Sequence, residues 1–108
     1  MKNIISVLVL SLTLGSCSIS TYYAQDESVK NTPTSIESIK LYSNDIHKEY
    51  TVMGSIAVDA AGSAISAEKL LKKKASKIGA DAIIYCKMTK LNSVAQRTGI
   101  SGVAIKYN

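Results

Sequence analysis

The sequence predicts an α+β domain of two layers, a four-stranded sheet covered by one helix, in the order β-β-α-β-β. Three observations carry this expectation. One stretch near the middle repeats its apolar residues at helical spacing, two segments with strand-like alternation precede it, and two more follow it. The chain has 108 residues, enough for one small domain and too few for two.

The first strand lies at residues 39–43 (IKLYS), where apolar and polar residues alternate up to the turn formers Asn44 and Asp45. The second, at 50–58, puts Val52, Gly54, Ile56 and Val58 on one face. A glycine inside a strand marks a bulge or a close backbone approach. Residues 60–63, with Gly62, read as a loop. From 64 to 78, Ala64, Ala67, Leu71, Ala75 and Ile78 form one apolar stripe at three- and four-residue steps. Gly79 follows at the position where a left-handed residue closes a helix. The alanines let this helix approach a sheet closely.

Residues 82–89 begin apolar on both faces, as a central strand does. Cys86 shares a face there with Ala82, Ile84 and Met88, which makes it a small buried hydrophobe. A polar hairpin connection is expected at 92–97. The last strand, 99–107, carries Ser101, Val103, Ile105 and Tyr107 on one face and the small Gly102 and Ala104 on the other.

The N-terminus has a different grammar. Lys2 supplies a positive start, and residues 4–14 form an apolar run interrupted only by Ser6, Ser11 and Thr13. Leu14-Gly15-Ser16-Cys17 then follows. Charged, apolar and small-residue regions in this order make a secretory signal peptide. A transmembrane helix fits less well, because residues 15–21 are too polar to sit in hydrocarbon. The Leu-x-small-Cys box resembles the lipobox of bacterial lipoproteins. That resemblance implies cleavage before Cys17 and a diacylglyceryl thioether on its sulfur. Ser18 after the cysteine resembles the pattern sorted to the outer membrane, facing the periplasm. The chain then divides into a signal peptide (1–16), a lipidated cysteine with a polar tether (17–35), and the α+β domain (36–108). Tyr22 and Tyr23 in the tether suit either a headgroup region or an ordinary flexible segment.

The formal net charge is +5, and much of it is clustered. Lys69, Lys72, Lys73, Lys74 and Lys77 fall on the helix, and such a run suits an acidic partner, lipid headgroups or nucleic acid. Export argues against nucleic acid. Lys69, Lys72, Lys73 and Lys77 form the candidate face for a protein partner, and a merely solvated helix face is the plainer reading.

Dedicated chemistry is sparse. With Cys17 lipidated, Cys86 stands alone and no internal disulfide can form. Metal ligation needs converging donors, and the body offers His47, Cys86, Met53 and Met88. These converge only in a homo-oligomer that repeats them, so no cofactor or metal is expected within one chain. A single histidine and no nucleophile frame give no catalytic triad. Asp45 and Glu49 sit near a strand boundary. Asp81, between two alanines at an element end, reads as a junction residue bonding backbone. No catalytic residue is expected, and the chain reads as a binding protein and not as an enzyme.

Residues 74–84 (KASKIGADAII) resemble the helix-to-strand junction of the small YbjQ-like domains, a group labelled as heavy-metal-binding. Residues 50–56 (YTVMGSI) and 99–105 (GISGVAI) are similar to the glycine-bearing strand and the final strand of that group. The lipidated layout, with residues 39–44 (IKLYSN), resembles the outer-membrane stress-sensing lipoproteins of the Rcs phosphorelay. The resemblance implies an envelope sensor or assembly component, or alternatively an oligomeric metal- or small-ligand-binding module. The chain departs from the Rcs sensors in having no cysteine pair in the body and a shorter tether without their proline-rich spacer.

Overall fold

The structure is a computed structural model and describes residues 18–92 and 97–108. Its elements are β1 (Ile19–Ala24), a 3-10 turn (Ile36–Ser38), β2 (Lys40–Leu41), β3 (Tyr50–Ala61), α1 (Ala64–Ile78), β4 (Ala82–Asn92) and β5 (Arg97–Tyr107). The strands form one mixed sheet in the order β1-β3-β5-β4-β2, antiparallel throughout except for β2 beside β4. The α+β class and the single covering helix hold. The expected four strands in β-β-α-β-β order do not, because the described sheet has five.

The additional strand lies where a tether was expected. Ile19-Ser20-Thr21-Tyr22-Tyr23 is an uncharged run of β-branched and aromatic residues, the composition that favours a pleated surface. It pairs with β3 from Ile19↔Asp59 to Ala24↔Gly54. Tyr22 turns inward, packs against the helix-side core and donates its hydroxyl to the Met53 carbonyl at 3.0 Å. The backbone of β1 passes so close to Gly54 that a Cβ there would stand 2.1 Å from the Tyr23 carbonyl oxygen.

Further along, residues 31–34 are strapped over the end of α1. Thr34 N–H donates to the Ser76 carbonyl at 2.9 Å and Thr34 Oγ1 to the Ala80 carbonyl at 2.6 Å, while the Ser76 hydroxyl donates back to the Thr34 carbonyl. Gly79 is left-handed at φ 84°, and a Cβ on it would stand 2.6 Å from Asn31 Cβ and from the Thr32 carbonyl oxygen. Residues 18–35 therefore belong to the folded body, which reaches back to Ser18 and does not begin at residue 36. The signal peptide (1–16), Cys17, and positions 93–96 of the expected hairpin connection lie outside the described residues.

The helix matches its expected span. Ala67, Leu71 and Ala75 are fully buried against Ile39, Ile56, Val58, Ala60, Ile83, Ile100 and Ala104. Small residues on both surfaces, Ala67 and Ala75 on α1 and Ala104 on β5, bring helix and sheet together.

Register shifts in β3 and β4 reset the alternation. In β3, Val52 pairs with Ile105 but Gly54 with Ala104, so Met53 is an extra residue. Val52 leaves the face it was expected to share with Gly54, Ile56 and Val58 and becomes partly exposed, while Met53 packs against the core. In β4, Ile84 pairs with Val103 and Lys87 with Ser101, leaving Tyr85 and Cys86 opposite Gly102. Tyr85 takes the left-handed conformation at φ 53°, an unusual one for an aromatic residue. Cys86 is carried to the helix side beside Ile83, away from Ala82 and Ile84, and is half-buried where full burial was expected.

A second, smaller core lies on the outer face. Ala82, Ile84 and Ile105 are covered there by Tyr42, Ile46, Tyr50, Val103 and Tyr107. Asp45 clips this cover by accepting the Ile46 N–H at 2.8 Å and the Tyr50 hydroxyl at 2.7 Å.

Candidate functional site

Because α1 buries Ala67, Leu71 and Ala75, residues four apart on its opposite side form an outward row. Ile65, Lys69, Lys73 and Lys77 occupy it, and all four are exposed. The three ammonium groups are spaced by one helical turn, about 6 Å of axial rise each. Lys72 and Lys74 sit half-buried on the flanks. The ion pairs among the described residues are Arg97–Asp59 at 3.0 Å and Lys106–Asp81 at 3.6 Å, and neither engages the row. Lys77 lies in the last turn, where a cation complements the helix dipole. Of the four lysines the sequence singles out, the fold thus aligns three and sets Lys72 aside. Unpaired cations at regular spacing on a rigid element can meet an acidic surface, and they equally suit water.

The outer face of the sheet holds a feature the sequence reading missed. Where the cover over Ala82 and Ile84 ends, a trough of about 400 Å³ opens across β1, β3, β5 and β4. Its floor is small, with Ser55, Ala57, Ser101 and Gly102, and Tyr23 and Tyr85 rise along it with Lys87 beside them. The tyrosines are 74% and 49% exposed. Finding this trough from sequence needs β1 to bring Tyr23 and a bulge to turn Tyr85 outward. Flat, amphipathic rings over a small-residue floor suit a planar group or an extended peptide.

A second recess lies under the 25–31 loop. Cavities of about 480 and 540 Å³ flank it and share Tyr22, Val29, Asn31 and Met53. The loop is shaped by Asp26, which accepts the Ser28 N–H at 3.0 Å and the Ser28 hydroxyl at 2.6 Å. These bonds hold the Asp26 carboxyl below its ordinary range.

The candidate ligating groups stay apart. His47 is exposed in the 42–49 loop, Met53 packs in the β3 bulge, and Met88 is half-exposed on β4. Cys86 donates its thiol to the Ile83 carbonyl at 3.6 Å, and burial pushes that thiol up from its usual range. Among the described residues, no three of His, Cys, Asp and Glu gather as a metal site. Asp81 behaves as a junction residue, accepting the Tyr107 N–H at 2.7 Å and pairing with Lys106. Cys17, the expected lipidation site, lies outside the described residues.

No family model matches the chain, and no curated protein does. A crystal structure of the Francisella virulence factor FvfA in an orthorhombic form is similar, with a TM-score of 0.60 and 16% sequence identity. The match covers 82% of this chain and 97% of that one. At that identity the likeness concerns the fold.

Proposed function

We propose that the chain is a bacterial envelope lipoprotein, anchored through Cys17 to a membrane, most simply the outer membrane facing the periplasm. Its small α+β domain acts by binding another envelope protein, in sensing or in assembly. One observation carries the reading: a charged start, an apolar run and the Leu14-Gly15-Ser16-Cys17 box stand directly ahead of the first strand of a small domain. Two acyl chains or more give stable attachment where a single chain is marginal. The resemblance to the Rcs-type sensors supports the same layout, and the Lys69, Lys73, Lys77 row with Lys72 on its flank offers the docking face.

In-cell crosslinking of the mature protein, read by mass spectrometry, tests this. A discrete envelope partner that disappears in Cys17→Ala is the expected result. Replacing Lys69, Lys72, Lys73 and Lys77 with Glu removes the crosslink while the domain stays folded. Crosslinks that survive those replacements exclude the basic face.

The tyrosine-flanked trough favours a second reading, a homo-oligomeric metal- or small-ligand-binding module of the YbjQ-like kind. Native mass measurement with added metals separates the two. A ring of subunits retaining metal through His47 or Cys86 supports the module, and an inert monomer opposes it.

A further inference from the structure

The lipid anchor, on the reading just proposed, attaches to a chain with no slack. Ser18 is already tied down, its hydroxyl accepting the Ala61 N–H at 3.2 Å, and β1 begins at the next residue. A residue spans at most about 3.5 Å, so an acylated Cys17 stands within a few ångströms of the sheet. The domain is held against the leaflet by one particular pole.

The fold identifies that pole. Ile19 pairs with Asp59 near the end of β3, and α1 starts after the Gly62 turn at the same end. Two isoleucines lie uncovered there, Ile19 at 60% and Ile65 in the first helical turn at 65% exposure. The nearby Asp59 carboxylate is neutralised by Arg97 at 3.0 Å. Lys69 stands one turn above Ile65. Anchoring supplies a high local concentration of bilayer at no further association cost. An interface accepts apolar side chains beside polar backbone and cations.

We propose that this pole rests on the lipid surface that holds the anchor, with Ile19 and Ile65 entering the headgroup region. The α1 axis then leads away from the membrane. Lys77 stands about 18 Å along the helix from Ile65 at 1.5 Å per residue, and the lysine row faces the aqueous side.

The test uses the full chain with its own leader, purified from membranes and reconstituted in phosphatidylethanolamine–phosphatidylglycerol vesicles. Ile19→Cys, Ile65→Cys and Lys77→Cys are each made with Cys86→Ala, labelled with bimane and quenched with aqueous iodide. Labels at 19 and 65 are expected to be several-fold less quenched than the label at 77, with emission shifted to the blue. Acylated Cys17 with all three labels equally quenched, or equally protected, overturns the docking alone. An unacylated Cys17 with the chain in the soluble fraction overturns the anchor reading and the docking with it.

Discussion

The two faces of the sheet are closed by different means. On one, α1 lays a continuous stripe of alanine and leucine over Ile56, Val58 and Ile83 and excludes water along its length. On the other, Tyr42 and Ile46 together with Tyr50, Val103 and Tyr107 cover only Ala82, Ile84 and Ile105, leaving the floor between Tyr23 and Tyr85 open. The closed face is built of interlocking aliphatic groups, where a lost methylene has no substitute. The half-closed face is held by a hydrogen-bonded clip and rings, which tolerate change. Stability is therefore concentrated beneath the helix, and surface free for recognition lies opposite.

The largest effect is expected under the helix. Leu71→Ala empties the centre of the closed face, and such substitutions cost about 2–5 kcal/mol. Denaturant melts that show less than about 1 kcal/mol of loss would break the contrast between the faces. Next comes Gly54→Val, which drives a side chain into the β1 backbone. An overpacking cost of about 1–3 kcal/mol is expected, with proteolysis appearing first near residues 18–24. Protection unchanged from the parent chain would show that β1 adapts.

On the half-closed face the expected effect is a changed pH dependence. The Tyr50 hydroxyl holds the Asp45 carboxyl below its ordinary value of 3.8, and the same bond pushes the Tyr50 phenol up to about 12. The depressed Asp45 contributes stability at pH values above the ordinary carboxylate range, and that contribution is lost as pH falls through its folded value. The raised Tyr50 contributes stability present below pH 10, lost as pH rises through about 12. Thermal melts of Tyr50→Phe are expected to flatten both flanks. Identical profiles for the two chains would remove the clip from the account. The smallest change is expected at Tyr85→Gly, where relief of the left-handed conformation offsets lost ring contacts, leaving stability within about 1 kcal/mol. The same variant opens one wall of the trough, so any ligand or peptide bound there loses affinity by titration.

The helix was fully legible because fifteen residues repeat one apolar stripe and end at Gly79. The alternation of β5 was legible too, with Val103, Ile105 and Tyr107 on the outer face and Ala104 beneath the helix, whereas the strand expected at 39–43 shrinks to Lys40–Leu41 behind a 3-10 turn at Ile36–Ser38. The register shifts in β3 and β4 were not legible. Alternation assumes an unbroken pleat, and whether Met53 or Tyr85 is the extra residue is decided by the partner strand. That is why Val52 and Cys86 changed faces. β1 was hidden by its polar neighbours, since Ile19 to Tyr23 read as a strand only beside Gly54. At the candidate site, the lysine face was legible as Lys69, Lys72, Lys73 and Lys77, of which the fold aligns three and leaves Lys72 on the flank. The trough joins four strands that are distant in sequence, and no local pattern announces it.

The order β1-β3-β5-β4-β2 puts the last strand in the middle. Both edges come from the first half of the chain, and residues 97–107 join the β1-β3 half of the sheet to the β4-β2 half. An emerging chain can pair β1 with β3 and lay α1 on them early, yet the two halves stay unjoined until its last strand is available. Late closure of this kind makes the C-terminal strand the keystone, the piece whose arrival turns two half-sheets into one core.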